Sequence, residues 1–276
     1  MRLIFLQPAC SVLLASIGIT TGSPAQSSVG ASAAYDRTDR KLGEGGFSTV
    51  IMAVDHATGH QVAVKIPKQS TMCEEEIRNE IEIMQHLQSR GGHPNVVKLI
   101  SSQREPYSIT MEYCDEQHLG LYFNSHYFGH AVGKDSKFLG PNVFFPDEYR
   151  TRMIFQDVSA ALHFLHENDV AHLDLKPENI LSKYDDYQQR LSFKIADFGD
   201  SDFTDRRASL DQVRGSTIYM PPEILRMKIY RNRCYDEPDL EYFGQWQDSP
   251  DVRAPYAYDQ KAADVWMLGL ILLMKV

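Results

Sequence analysis

The sequence is short of basic charge. It carries 28 Lys and Arg against 37 Asp and Glu, a formal net charge of −9 over 276 residues. Without a surplus of cations to neutralise phosphates, non-specific nucleic-acid binding is excluded as a main activity. The acidic excess reads as a solubilising surface. Cysteine is scarce too. Of the four, Cys10 lies in an N-terminal apolar stretch, and Cys73, Cys114 and Cys234 are odd in number and far apart. That spacing makes no disulfide framework, and no CxxC pair offers zinc a site. Reduced thiols are the simpler reading. A long apolar run is missing as well: the N-terminal segment Leu3 to Ile19 is broken by Gln7, Pro8, Ser11 and Ser16, and is too short and polar for a stable membrane span.

That segment, with Arg2 before it and Ser23-Pro24-Ala25 after it, gives residues 1–25 the layout of a secretory signal peptide. The other reading is a leader without that role. Residues 26–40 are rich in Ser, Ala, Gly and Thr and read as a flexible linker. The remainder, at 43% hydrophobic and 24% charged over the whole chain, has ordinary globular composition for one or two domains.

The informative stretch is His172-Leu173-Asp174-Leu175-Lys176-Pro177-Glu178-Asn179, followed 18 residues after Asn179 by Asp197-Phe198-Gly199. Together they supply what metal-assisted phosphoryl transfer needs. There is a carboxylate to orient a hydroxyl, a cation for the transferred charge, and two hard oxygen ligands for Mg²⁺. One such Asp alone would be a turn residue or a helix cap. Upstream, Leu42-Gly43-Glu44-Gly45-Gly46-Phe47-Ser48-Thr49-Val50 is a glycine-rich stretch whose backbone N–H groups can approach phosphates. Thr49–Asp55 and His60–Ile66 are β-branched runs around Ala57-Thr58-Gly59-His60, which reads as a hairpin. Its second strand holds Val62-Ala63-Val64-Lys65. Glu74 to Gln88 has apolar Ile77, Ile81, Met84 and Leu87 at helical spacing, with Glu75, Glu76, Glu80 and Glu82 as acids able to reach Lys65. A second helix is expected from Pro146 to about Glu167, with Ile154, Phe155, Val158, Leu162 and Leu165 as core.

These motifs, in this order, resemble the eukaryotic protein kinase family of Ser/Thr type, from about Lys41 to the C-terminus. The resemblance implies an α+β, two-lobed protein kinase-like fold. Residues 41–114 would form the first lobe and 115–276 part of the second, with ATP and Mg²⁺ between them and a protein as substrate. It implies nucleotide contacts from Leu42, Gly43, Glu44, Gly45, Gly46, Phe47, Ser48 and Val50, with Ser48 replacing the third glycine. Ala63 would lie against adenine, and Lys65 would contact phosphates and pair with Glu80. Met111 would be the gatekeeper, and the backbones of Glu112 and Cys114 would bond adenine. Asp174 would orient the substrate hydroxyl, Lys176 would steady the γ-phosphate, and Asn179 and Asp197 would hold Mg²⁺. Lys176, two residues after Asp174, favours Ser/Thr over Tyr substrates, and Glu178 is the acid that could select a basic substrate.

Several departures carry expectations of their own. His118 stands where many members have a ribose-binding acid. Leu173 replaces the Arg that receives an activation-loop phosphate, so activity should not depend on that route. Gly215-Ser216-Thr217-Ile218-Tyr219-Met220-Pro221-Pro222-Glu223 resembles the end of the activation segment. Within that segment, Arg206-Arg207-Ala208-Ser209 reads either as a phosphorylation site at Ser209 or as an exposed loop serine. Residues 119–146 and 234–258 read as insertions. Asp264-Val265-Trp266-Met267-Leu268-Gly269 matches the central helix of the second lobe, whose covering helices are missing from this sequence. The expectation is a C-terminally truncated member, or a partner laid over that helix. Three functions remain open on sequence: a kinase, a nucleotide-binding scaffold without catalysis, and a secreted kinase-like effector. Localisation is cytoplasmic by domain type, or secreted if the signal is genuine.

Overall fold

The computed structural model describes residues 35–68, 74–114, 118–120, 148–185, 189–204, 213, 215–228 and 258–273. Residues 1–25, the two insertions apart from 119–120 and Tyr258, and Ser209 lie outside the described residues. Contacts divide the chain between Ala33 and Ala34, and every described element belongs to Ala34–Val276.

Five antiparallel strands form the first sheet: β1 (Tyr35–Glu44), β2 (Ser48–Asp55), β3 (Gln61–Pro67), β4 (Leu99–Arg104) and β5 (Tyr107–Glu112), in the order β1-β2-β3-β5-β4. The β2–β3 turn is the expected one. Asp55 Oδ1 accepts from Thr58 N at 2.8 Å, and Gly59 takes the left-handed conformation (φ +68) that the turn requires. β1 starts earlier than the sequence suggests: Tyr35–Arg40, read as linker, is strand. Tyr35 is buried with Ala53, Val62 and Val64, and pairs with Asp55. The other side chains of this edge segment are charged or hydroxylic, so no alternation announces it.

Helix α1 (Glu74–Ser89) opens on Glu74, Glu75 and Glu76, which suit the positive end of the helix dipole. It closes on Gly91 (φ +99) and Gly92 (φ +65), whose N–H groups donate to Gln88 O and Leu87 O at 3.1 Å. Its buried face is Glu80, Ile81, Ile83, Met84 and Leu87. Helix α2 (Glu148–Glu167) buries Met153, Ile154, Val158, Ala161, Leu162 and Leu165. Phe155, expected in the core, is instead 46% exposed, because it falls one step off that stripe.

After α2 come β6 (Val170–Ala171), a 3₁₀ turn at Pro177–Asn179, the hairpin β7 (Ile180–Asp185) and β8 (Arg190–Ile195), and β9 (Asp202–Phe203), which pairs with β6. Asp157 on α2 ties the hairpin down. It accepts from Arg190 Nη1 and Nη2 at 3.0 and 2.9 Å and from Phe193 N at 2.9 Å. Asn95 joins the first lobe to β8: its Nδ2 donates to Phe193 O, and Ile195 N donates to Asn95 O. Helix α3 (Gln260–Leu273) buries Ala263, Asp264, Met267, Leu268 and Ile271, and leaves Val265, Trp266 and Leu273 exposed. One apolar core runs from α1, β4 and β5 through α2, β7 and β8 to α3.

Candidate active site

Strand β3 carries Lys65 to the inner face of the first sheet, and α1 brings Glu80 opposite it. Lys65 Nζ donates to Glu80 Oε1 and Oε2 at 2.6 and 2.8 Å, and to Asp197 Oδ1 at 2.6 Å. Of the four acids considered in α1, the structure thus selects Glu80. The pair is enclosed, with side-chain exposures of 14% and 5%. Burial works against the charge on Lys65, but Glu80 and Asp197 outweigh it and hold its pKa above the usual value. Burial raises the Asp197 pKa most, but Lys65, His172 and Lys176 together bring it below the ordinary range, so it stays ionised.

The glycine-rich turn lies between β1 and β2. Gly43 pairs with Val50 and Glu44 with Thr49, and Gly45 N donates to Ser48 O at 2.9 Å. Among the described glycines, Gly43, Gly45 and Gly46 do not adopt positive φ. A Cβ at Gly43 or Gly46 would meet nothing within 4 Å, so these residues keep space open in front of the backbone. Ser48 is strand and pairs with Pro67, which explains why it can stand in place of a glycine. Leu42 and Val50 flank the turn, and Phe47 is 70% exposed at its tip. Glu44 is held by Lys41 and Lys68, which lower its pKa to about 2. Ala63 and Met111 pair across β3 and β5, both buried, and Glu112 follows at the strand end. Cys114 is half-buried.

The loop between β6 and β7 is built around Asp264. Its Oδ2 accepts from His172 N and its Oδ1 from Leu173 N at 2.9 and 2.8 Å, and His166 Nε2 lies 2.8 Å from Oδ2. This bracing supports Leu173 in the left-handed region (φ +63), which Leu rarely occupies. The turn presents Asp174. Asp174 Oδ2 accepts from Lys176 Nζ at 2.6 Å and Asn179 Nδ2 at 3.1 Å, while Oδ1 accepts from Ser216 N at 2.7 Å. Lys176 Nζ also lies 3.0 Å from Ser216 Oγ. Asp197 is again left-handed (φ +65), and Phe198 beside it is buried against the His172 ring, with centroids 5.5 Å apart.

The structure therefore gathers Lys65, Glu80 and Asp197 into one cluster and Asp174, Lys176 and Asn179 into another. His118 does not stand apart. A Cβ on Gly120 would sit 3.0 Å from Glu178 Oε1 and 3.1 Å from His118 Nδ1, so the two flank Gly120. Burial lowers the pKa of His118 against the pull of Glu178. Two features escaped the sequence reading. Gly215 packs on the carbonyl of Leu173, and the Glu112 carboxylate meets Lys183 and Lys194. No local spacing signals either.

Among the described residues no three His, Cys, Asp or Glu side chains form a metal cluster. What the site offers is Asn179 Oδ1 and Asp197 Oδ2, which accept no hydrogen bond from the described residues. Two protein oxygens, with phosphate oxygens completing the shell, is the arrangement that suits Mg²⁺.

A buried Lys–Glu pair under a five-stranded sheet, with an Asp–Lys–Asn loop braced from a helix, belongs to a two-lobed α+β fold. The protein kinase domain family matches residues 37–237, and the chain belongs to that family. It is 32% identical over 203 residues to calcium-dependent protein kinase 5 of Plasmodium falciparum, covering 72% of this chain and 32% of that protein. It is 28% identical over 240 residues to CBL-interacting protein kinase 25 of Oryza sativa subsp. japonica, covering 84% and 37%. It is 29% identical over 196 residues to serine/threonine-protein kinase ATG1c of Arabidopsis thaliana, covering 69% and 24%. The chain spans about a third of the length of the first of these relatives.

Proposed function

We propose that the chain transfers the γ-phosphoryl group of ATP to a Ser or Thr hydroxyl of a protein. The observation that carries this reading is the convergence on Asp174. One of its oxygens is held by Lys176 and Asn179 and the other by the backbone of Ser216, so the carboxylate is fixed in the loop. In that position it accepts the hydroxyl proton as the oxygen bonds to phosphorus and the bond to ADP breaks. Lys176, within reach of Asp174 and Ser216, offsets charge on the transferred group, a preorganised electrostatic role. Lys65, kept ionised by Glu80, orients the inner phosphates. When bound, Mg²⁺ neutralises phosphate charge, and Asn179 and Asp197 would hold it. The glycine-rich turn, Ala63 and the backbones of Glu112 and Cys114 enclose the nucleotide. Ser/Thr choice is supported by the Lys176–Ser216 contact and by the likeness to a serine/threonine-protein kinase.

The test is a thermal melt of the full chain with and without Mg²⁺ and ATP. At ligand about 100 times its dissociation constant, binding adds about 2.7 kcal/mol, a rise of roughly 5–10 °C for a domain of this size. The rise should vanish in Asp197→Ala. A cooperative melt unmoved by Mg²⁺ and ATP would refute nucleotide binding.

A further inference from the structure

Glu112 ends β5, where the chain leaves the first sheet. Its backbone is assigned above to adenine, but its side chain has separate work. Oε1 accepts from Lys98 N at 2.8 Å and Lys194 Nζ at 3.0 Å, and Oε2 accepts from Lys183 Nζ at 3.1 Å. Lys194 Nζ donates in addition to Pro94 O. The Glu112 and Lys194 side chains are 15% and 11% exposed, so this is an enclosed pair; Lys183, at 37%, closes it from outside. Burial raises the Glu112 pKa, and Lys194 leads the groups that bring it below the ordinary value, so the carboxylate stays ionised.

The elements joined here matter more than the pair itself. Lys183 is on β7 and Lys194 on β8. β7 begins directly after Asn179, and β8 ends two residues before Asp197. Both proposed metal ligands therefore flank the hairpin, and the Glu112 backbone carries the proposed adenine contact. We infer that Lys183 and Lys194, through the Glu112 carboxylate, are positioning residues that fix the base-reading edge of the cleft relative to its phosphate-reading edge. This inference rests on the nucleotide reading above. In this reading the lysines act through Glu112.

The test uses the full chain, its Lys183→Met and Lys194→Met variants, and the double variant. Affinity is measured by calorimetry for two probes, Mg²⁺ with ATP and Mg²⁺ with inorganic tripolyphosphate, which has no base. Steady-state kcat and KM for ATP accompany them. Lys183→Met, at the more exposed site, keeps the test open if Lys194→Met folds poorly. The expected result is an ATP affinity weaker by about 3–10-fold in each single variant and more in the double. Tripolyphosphate affinity should hold within about 2-fold, and KM should rise with little change in kcat. Equal loss for both probes would make the pair merely structural, and unchanged ATP affinity would remove the idea. Wild-type protein that binds neither probe would instead bring down the nucleotide reading and this inference with it.

Discussion

Gly215→Ala is the substitution whose effect the structure specifies most fully. Gly215 has φ +96, and a Cβ placed there would lie 2.4 Å from Leu173 O, 3.5 Å from Leu173 C and 3.6 Å from Asp174 Oδ1. The obstacle is backbone and cannot swing away. Leu173 is itself left-handed and its N–H is bonded to the fully buried Asp264. The positive φ costs an alanine about 1–2 kcal/mol, and forced overlap in a packed region adds about 1–3 kcal/mol. The sum, roughly 2–5 kcal/mol, lowers the melting temperature by about 4–20 °C at ~2–4 °C per kcal/mol. The loop has a second route of relief, which is to move Gly215 and Ser216 away together. That would lift Ser216 N off Asp174 Oδ1 and depress phosphotransfer beyond the loss of folded protein. Gly43→Ala is the control: nothing lies within 4 Å of its Cβ and its φ is ordinary, so stability should change by no more than about 0.5 kcal/mol. Urea unfolding of both variants, with activity corrected for folded fraction, is the assay. Equal stability of the two alanine variants would refute the reasoning.

Lys65→Met leaves Glu80 and Asp197 without their shared cation, and phosphotransfer should fall by at least about 100-fold while the variant still melts cooperatively. Asp264→Asn replaces an acceptor pair with one acceptor and one donor, facing the N–H groups of His172 and Leu173; urea unfolding should show a loss of about 1–3 kcal/mol. The pKa of Asp197 is lowered on folding from a reference of 3.8. Its stabilisation is therefore present above that value and disappears as pH falls through the lower folded pKa, where the unfolded chain binds more protons. Stability measured from pH 6 down to pH 3 should accordingly fall less steeply in Asp197→Asn than in wild type. Leu173 lacks the charge to grip a phosphate, so phosphorylating the activation segment should leave kcat nearly unchanged; a large gain from one phosphate there contradicts this.

Much of this was legible because local periodicity and short motifs carry it. The β-branched run His60–Ile66 places Lys65 on strand β3, and the apolar spacing of α1 predicts its extent from Glu74 to within one residue of its end. The bulge-free match of β2 to β3 follows from Asp55 and Gly59 in the turn. What was not legible depends on residues far apart in the chain. Glu112 meets Lys183 and Lys194 across 71 and 82 positions, and Asp157 meets Arg190 across 33. No periodic signal joins such residues, and a lysine on a strand reads as solvated charge. Tyr35–Arg40 failed for a related reason: a lone buried tyrosine in a charged edge strand gives no alternation to read. Phe155 failed because hydrophobicity alone does not say which side of a helix meets the core.

The central claim is phosphoryl transfer by Asp174 at this site. Its most direct test incubates the full chain with Mg²⁺, γ-labelled ATP and a mixed protein substrate, and then identifies the labelled amino acid. The account predicts label on Ser and Thr, abolished by chelating Mg²⁺ and reduced by about 10²–10⁴-fold in Asp174→Asn, which keeps the shape but cannot accept the proton. Label confined to Tyr would contradict the Ser/Thr assignment. Undiminished transfer by Asp174→Asn, or none from a wild-type chain that binds Mg²⁺ and ATP, would contradict the mechanism.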